Sequence, residues 1–269
     1  MKWKTPAIFV LPFAVILVVF LLGAKDYFKP HTPDVSEQRY VHITYAQAVN
    51  GYQVSVDWMP LTEYYWSLVG PAILSFEQGD KSFTVTNNYF ALPLTWIDVI
   101  MDSNGMVSKV LEPRLQLNYR VPPGKEPALI AFEEPFFFLD LNFDNKMELI
   151  CALTGQAQRG GRQFEVYVFD DWGNFEPACY QITREEPYNQ LDDFSELDRK
   201  KKEIHLYGSG GLCSNTYYTY SFEDSPYQYG YRLTSVIREE RDDARGKCFE
   251  HTYSVTAQKE TLVSTKELK

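Results

Sequence analysis

An all-β fold is predicted by three features of this 269-residue sequence. Apolar and polar residues alternate with period two in run after run past residue 39, aromatic and β-branched residues dominate those runs, and no sustained 3.6-residue period competes with them. A composition of 45% apolar and 16% aromatic residues supplies a real core and excludes a disordered or collagen-like chain.

The exception comes first along the chain. Lys2 and Lys4 precede AIFVLPFAVILVVFLLGA (7–24), a charge-free stretch that as a helix would extend about 27 Å, close to one hydrocarbon core. Residues 1–25 are therefore expected to be one amino-terminal transmembrane helix. Cleavage as a signal peptide is the alternative, which Leu22 two positions before Ala24 fits poorly. The two lysines favour a cytoplasmic amino end, although Lys25 and Lys29 reduce the asymmetry. DYFKPHTPDVS (26–36) reads as a stalk ending near residue 38.

Strands follow in order: RYVHITYA (39–46), YQVSVDW (52–58), AILSFEQ (72–78) and SFTVTNNYF (82–90), with a GDK hairpin turn at 79–81. LTWIDVIM (94–101) is equally compatible with a short helix or a strand, and RLQLNYRV (114–121) alternates again. PPGKEP (122–127) is the expected boundary between a smaller β region, 39–125, and a second β domain, 126–269. The second half continues with ALIAFEE (128–134), FFFLDL (136–141), MELICALTG (147–155), QFEVYVFD (163–170), KKEIHLYG (201–208), NTYYTYSFE (215–223), YRLTSVIREE (231–240) and a closing HTYSVTAQKETLV (251–263). SELDRKKK (195–202) reads as a solvated turn.

A formal charge of -10 argues against a nucleic-acid partner, which needs a cationic footprint, and favours encounter with cationic molecules. The four histidines form no HExxH pair, and no GxSxG, P-loop or dinucleotide fingerprint is present. Adjacent acids such as Asp170 and Asp171 do not establish two carboxylates facing each other across a cleft. The chain is accordingly expected not to be an enzyme.

Cys151, Cys179, Cys213 and Cys248 show no CxxC spacing, so zinc is not expected. An even count beyond a membrane-targeting segment predicts up to two disulfides. The expected pairs are Cys213 with Cys248 and Cys151 with Cys179, each flanking strands able to meet as neighbours; buried thiols are the alternative. The strongest chemical pattern is DLNFDNKME. Asp140, Asn142, Asp144 and Glu148 fall at relative positions one, three, five and nine, with the Lys146 carbonyl at seven, a spacing that directs hard ligands at one cation, most naturally Ca2+. Asn145, where Gly usually makes the sharp turn, tolerates a left-handed backbone. Cys151 at the twelfth position rules out an EF-hand, and a metal-free Asx turn is the alternative.

FFFLDLNFDNKMELICALTG followed by FEVYVFDDWGNFEPA resembles the strand-turn-strand unit of FG-GAP-type propeller repeats, and more closely a group of bacterial envelope proteins related to periplasmic inhibitors of invertebrate-type lysozyme. KKKEIHLYGSGGLCSNTYYTYSFE and YRLTSVIREE resemble that group's closing pattern, so the resemblance covers roughly 128–240. It implies a propeller-like or twisted antiparallel sheet domain that binds or inhibits a partner. By the same resemblance, Ser209, Gly210 and Gly211 are similar to a Ser-Gly loop that enters a muramidase cleft, with Asn215 and Tyr217 beside it, although Leu212 and Cys213 intervene before any Tyr.

The expected function is a binding protein held in the bacterial inner membrane with its bulk in the periplasm, or soluble there after cleavage. It would neutralise a cationic muramidase or secreted toxin, as a lysozyme inhibitor or an immunity protein. The alternative is a calcium-stabilised structural or ligand-binding module of an envelope complex.

Overall fold

The computed structural model describes residues 39–120, 134–156, 161–170, 178–181, 186–225 and 228–268. All of them belong to one unit, Arg39–Lys269. The expected transmembrane segment, the PPGKEP break and the ALIAFEE strand up to residue 133 lie outside the described residues. No helix among the described residues is long and apolar enough to cross a membrane.

The unit is all-β. The first sheet holds β1 (Val41–Tyr45), β2 (Gln53–Trp58), β3 (Thr62–Tyr64), β4 (Ser67–Gln78), β5 (Lys81–Pro93) and β8 (Arg114–Leu117). β4 is shared, pairing with β5, β2 and β3, while β8 runs parallel to β1. The alternation seen in the sequence appears as burial: Val41, Ile43 and Tyr45 point inward and His42 outward, where it bonds Asp57 across the ladder at 2.7 Å. Gly79 supplies the positive φ of the 79–80 turn, as its chemistry predicts. The ambiguous 94–101 stretch resolves into one 3-10 turn, Leu94–Trp96, and the short β6 (Val99–Met101), which pairs with β7 (Val107–Val110).

β9 (Phe136–Leu139), β10 (Glu148–Thr154), β11 (Arg162–Asp170) and β12 (Ala178–Gln181) form an antiparallel meander. β13 (Glu196–Asp198), β14 (Glu203–Ser209), β15 (Asn215–Ser225), β16 (Gln228–Asp242), β17 (Lys247–Thr256) and β18 (Lys259–Leu268) form a longer one. The charge cluster at 195–202 therefore includes a short strand, and the closing run is the hairpin β17–β18, turned at Ala257 and Gln258 with φ of 48° and 63°.

Two cores meet on β9 and β10. Phe136, Leu149 and Cys151 pack with Trp58, Phe76 and Phe90 of the first sheet, and Phe137, Ile150 and Ala152 pack with Phe164, Leu191, Ile204 and Tyr220. Both faces of these strands are covered, which explains the unbroken apolar runs FFFL and LICA. Burying each of the larger side chains contributes roughly 1.5–3 kcal/mol. Asn87 adds a polar joint: buried on β5, it donates to Ala152 O at 2.9 Å and accepts from Tyr89 N–H at 2.8 Å.

Candidate functional site

The loop from Asp140 to Met147 joins β9 to β10 and folds as a chain of Asx-type bonds. Asn142 Oδ1 accepts from Asp144 N–H at 3.2 Å, Asp144 Oδ1 from Lys146 N–H at 2.8 Å, Asp140 Oδ2 from Asn145 N–H at 3.2 Å, and Glu148 Oε2 from Leu141 N–H at 2.7 Å. Asn145 takes the left-handed backbone expected of it, with φ of 66°, and Phe143 does the same at 59°. Phe143 anchors the loop on Phe222 and Tyr231, and the Tyr231 hydroxyl donates a short hydrogen bond to Leu141 O.

This loop is electrostatically uncomfortable. Asp140 is 8% exposed, and its buried Oδ1 has no hydrogen-bond partner among the described residues. Burial pushes the Glu148 carboxyl up to about 7, with the nearby Asp144 and Asp140 charges adding to the rise and the Leu141 N–H opposing it. Burial likewise holds the Tyr231 hydroxyl well above its ordinary range. The side chains here are hard oxygen donors of the kind a calcium ion takes, with one buried Asp140 oxygen left over. Asn142 Nδ2 bonds Asp144 Oδ2 at 3.2 Å, so the two side chains are tied to each other in this arrangement.

Among the described residues, the His and acid ligand atoms that converge within 4.8 Å belong instead to Asp198, Glu203 and His205. That cluster carries its own cation. Lys201 Nζ lies 3.5 Å from Asp198 and 3.9 Å from Glu203, and the backbone N–H of Lys201 leads the interactions that hold the Asp198 carboxyl low.

The second candidate is the turn between β14 and β15. Gly211 has φ of 105°, and a Cβ on Gly210 would fall 2.2 Å from Ser214 Oγ and 2.3 Å from its carbonyl, so both glycines are required by the turn. A disulfide ties Cys213 to Cys248 at the start of β17, with Cα atoms 5.5 Å apart, as the sequence predicts. Leu212 at the tip is 85% exposed. Asn215, expected at a partner contact, joins Tyr207 to Glu239, accepting from the hydroxyl at 2.9 Å and donating to the carboxylate at 2.6 Å. Tyr217 donates to the other Glu239 oxygen at 3.4 Å and lies 5.0 Å from the Tyr207 ring. The structure thus brings Asn215 and Tyr217 together below Ser209, and adds Leu212, Tyr207 and Glu239, which sequence reading missed because cross-strand register is not written in local pattern.

Cys151 is buried on β10 opposite Glu165, whereas Cys179 stands on β12 opposite Phe169. β11 separates those strands, so they are not the neighbours the sequence argument assumed; the Cys179 side chain lies outside the described residues. Beside the β14–β15 turn, a cleft of about 230 Å³ is lined by Gln163, Gln190, Asp192, Tyr207, Gly208 and Tyr218. It has no nucleophile–base pair among these residues, and burial raises its one carboxyl, Asp192.

No family model matches this chain, and no curated protein matches it. Its fold is similar to a solved structure described as that of a Xanthomonas type IV secretion system related protein, with a TM-score of 0.53 over 86% of this chain and 96% of the other, at 11% identity. At that identity the likeness concerns fold alone.

Proposed function

We propose that this chain is a membrane-anchored envelope protein, propeller-like in its second half, that binds and neutralises a cationic cell-wall-degrading enzyme or delivered toxin and catalyses nothing itself. The disulfide-tied tip at 209–214 carries this reading: a narrow, glycine-shaped turn held rigid at its base presents Leu212 to solvent over a pre-ordered Tyr207–Asn215–Tyr217–Glu239 network. Rigid aromatic and apolar groups bind without losing much side-chain entropy, which suits an inhibitor loop. The -10 charge supports a basic partner, and the four-stranded meander β9–β12 has the connectivity of a propeller blade.

The test is affinity purification of the full chain against the envelope hydrolases and secreted toxins of its host. The expected result is a basic partner whose affinity falls at least tenfold with Leu212→Asp and falls again with added salt. Recovery of no such partner, or indifference to Leu212→Asp, overturns it.

The buried Asp140 Oδ1 favours a second reading, a calcium-stabilised module in which Asp140, Asn142, Asp144, Lys146 O and Glu148 hold Ca2+. Added Ca2+ would then raise Tm, since a ligand of the native state stabilises it by mass action, and Asp140→Ala would abolish the rise.

A further inference from the structure

The hairpin joining β3 to β4 closes on Tyr64 and Ser67 with Tyr65 and Trp66 between them, and both turn residues have positive φ, 43° and 66°. A two-residue turn of this kind favours Asn and Gly, because a Cβ in the left-handed region crowds the following carbonyl. Here the positions carry a phenol and an indole that are 74% and 79% exposed. Their contacts among the described residues do not account for them. Tyr65 stands edge-on to Tyr64 at 4.6 Å, and the Trp66 carbonyl accepts Leu94 N–H, a bond any residue would make. Unfavourable backbone conformation combined with exposed aromatic area points to an external surface for that area.

The register says which way the hairpin points. Val41 pairs with Trp58, Trp58 pairs with Ala72, and β4 extends five further residues, back to Ser67, beyond that level. At the rise of a strand this carries the tip about 17 Å past the point where the chain enters the sheet, on the same end. What precedes that entry in sequence is the apolar, charge-free run 7–24.

We propose that Tyr65 and Trp66 form an interfacial anchor that seats in the headgroup layer of the bilayer holding the amino-terminal segment. Indole and phenol combine an apolar body with a polar edge, which is why both residue types concentrate at membrane interfaces. Glu63 is the one charged residue from Thr62 to Ser67, so the tip carries little to repel a zwitterionic surface. The inference rests on the membrane-anchor reading above.

The full chain is mixed with excess phosphatidylcholine vesicles, with and without bromine on the acyl chains. Flotation reports the anchor; quenching of tryptophan emission reports the tip. The wild type is expected to float and to lose about one-fifth more of its emission to bromine than Trp66→Phe, one indole among five. Tyr65→Asn with Trp66→Gly, residues that suit the turn, is expected to fold and to lose the same component. A chain that floats while wild type and Trp66→Phe are quenched equally overturns the inference and leaves the anchor standing. A chain that does not float overturns both. Loss of protein-partner binding by the tip variants in detergent, with quenching unchanged, assigns the tip to a protein and also overturns it.

Discussion

The first sheet, mixed only by its parallel β8 edge, and the far end of the last one are both β-structure of ordinary appearance, yet different forces hold them. Trp58, Leu74, Phe76 and Phe90 are fully buried and lock β2, β4 and β5 against β9 and β10. On β17 and β18, by contrast, Val255 is the one buried side chain among the described residues, and β18 is exposed along nearly its whole length. What fixes that hairpin is the backbone ladder, the Cys213–Cys248 bridge, and polar cross-strand pairs such as Arg238 with Glu260 at 2.6 Å, with the same guanidinium over the Tyr253 ring at 5.0 Å. A sheet that outgrows its core must replace burial with covalent and electrostatic ties, and the strands so held are the ones left free to present a surface.

The comparison is sharpened most by paired truncations. Trp58→Ala should cost about 3–5 kcal/mol in denaturant unfolding, whereas Leu262→Ala, at an exposed site on β18, should stay within roughly 0.5 kcal/mol. Equal costs would break the distinction. Next, replacing Cys213 and Cys248 by Ser opens a closed loop with a sequence separation of 35 and should cost about 3–4 kcal/mol. Amide exchange in β17 and β18 should rise before that in β2 and β4; uniform loss of protection would show that the hairpin has other support.

A third prediction concerns the polar loop between the two cores. Glu148 is held protonated to about 7, above its value in an unfolded chain, so the folded state binds the extra proton. Its stabilisation is complete below the unfolded value near 4.5 and is lost as pH rises through about 7, by about 3 kcal/mol. Glu148→Gln, which keeps an acceptor for Leu141 N–H, should flatten that slope in a pH series of Tm values. The smallest effect belongs to the aromatic turn: Tyr65→Asn with Trp66→Gly should stabilise by about 1 kcal/mol, since the replacements accept the left-handed backbone. A destabilised double variant would mean that the aromatic rings contribute to folding after all.

Much of the architecture was legible. Period-two runs located β1, β2, β4 and β5, and the cysteines flanking strands in the last third pointed to the bridge that forms. The misses share a cause. The run 251–263 hid a hairpin because Ala257 and Gln258 carry no turn signature, β13 lay inside a charge cluster, and β3 is three residues long. At the candidate site, the oxygen spacing of 140–148 and the glycines of 210–211 were visible as local pattern. Tyr207, Asn215 and Glu239 form one network only because Ser209 pairs with Asn215 and Thr216 with Arg238, which is a long-range property.

The buried Asn87 amide bears on how the molecule can be taken apart. Its hydrogen is spent on a carbonyl in β10, sixty-five residues downstream, so an excised fragment ending near residue 120 would carry an unanswered donor and a naked aromatic wall where β9 and β10 had lain. Such a piece should clump in solution, and heating the whole protein should show its two hydrophobic compartments giving way in a single step.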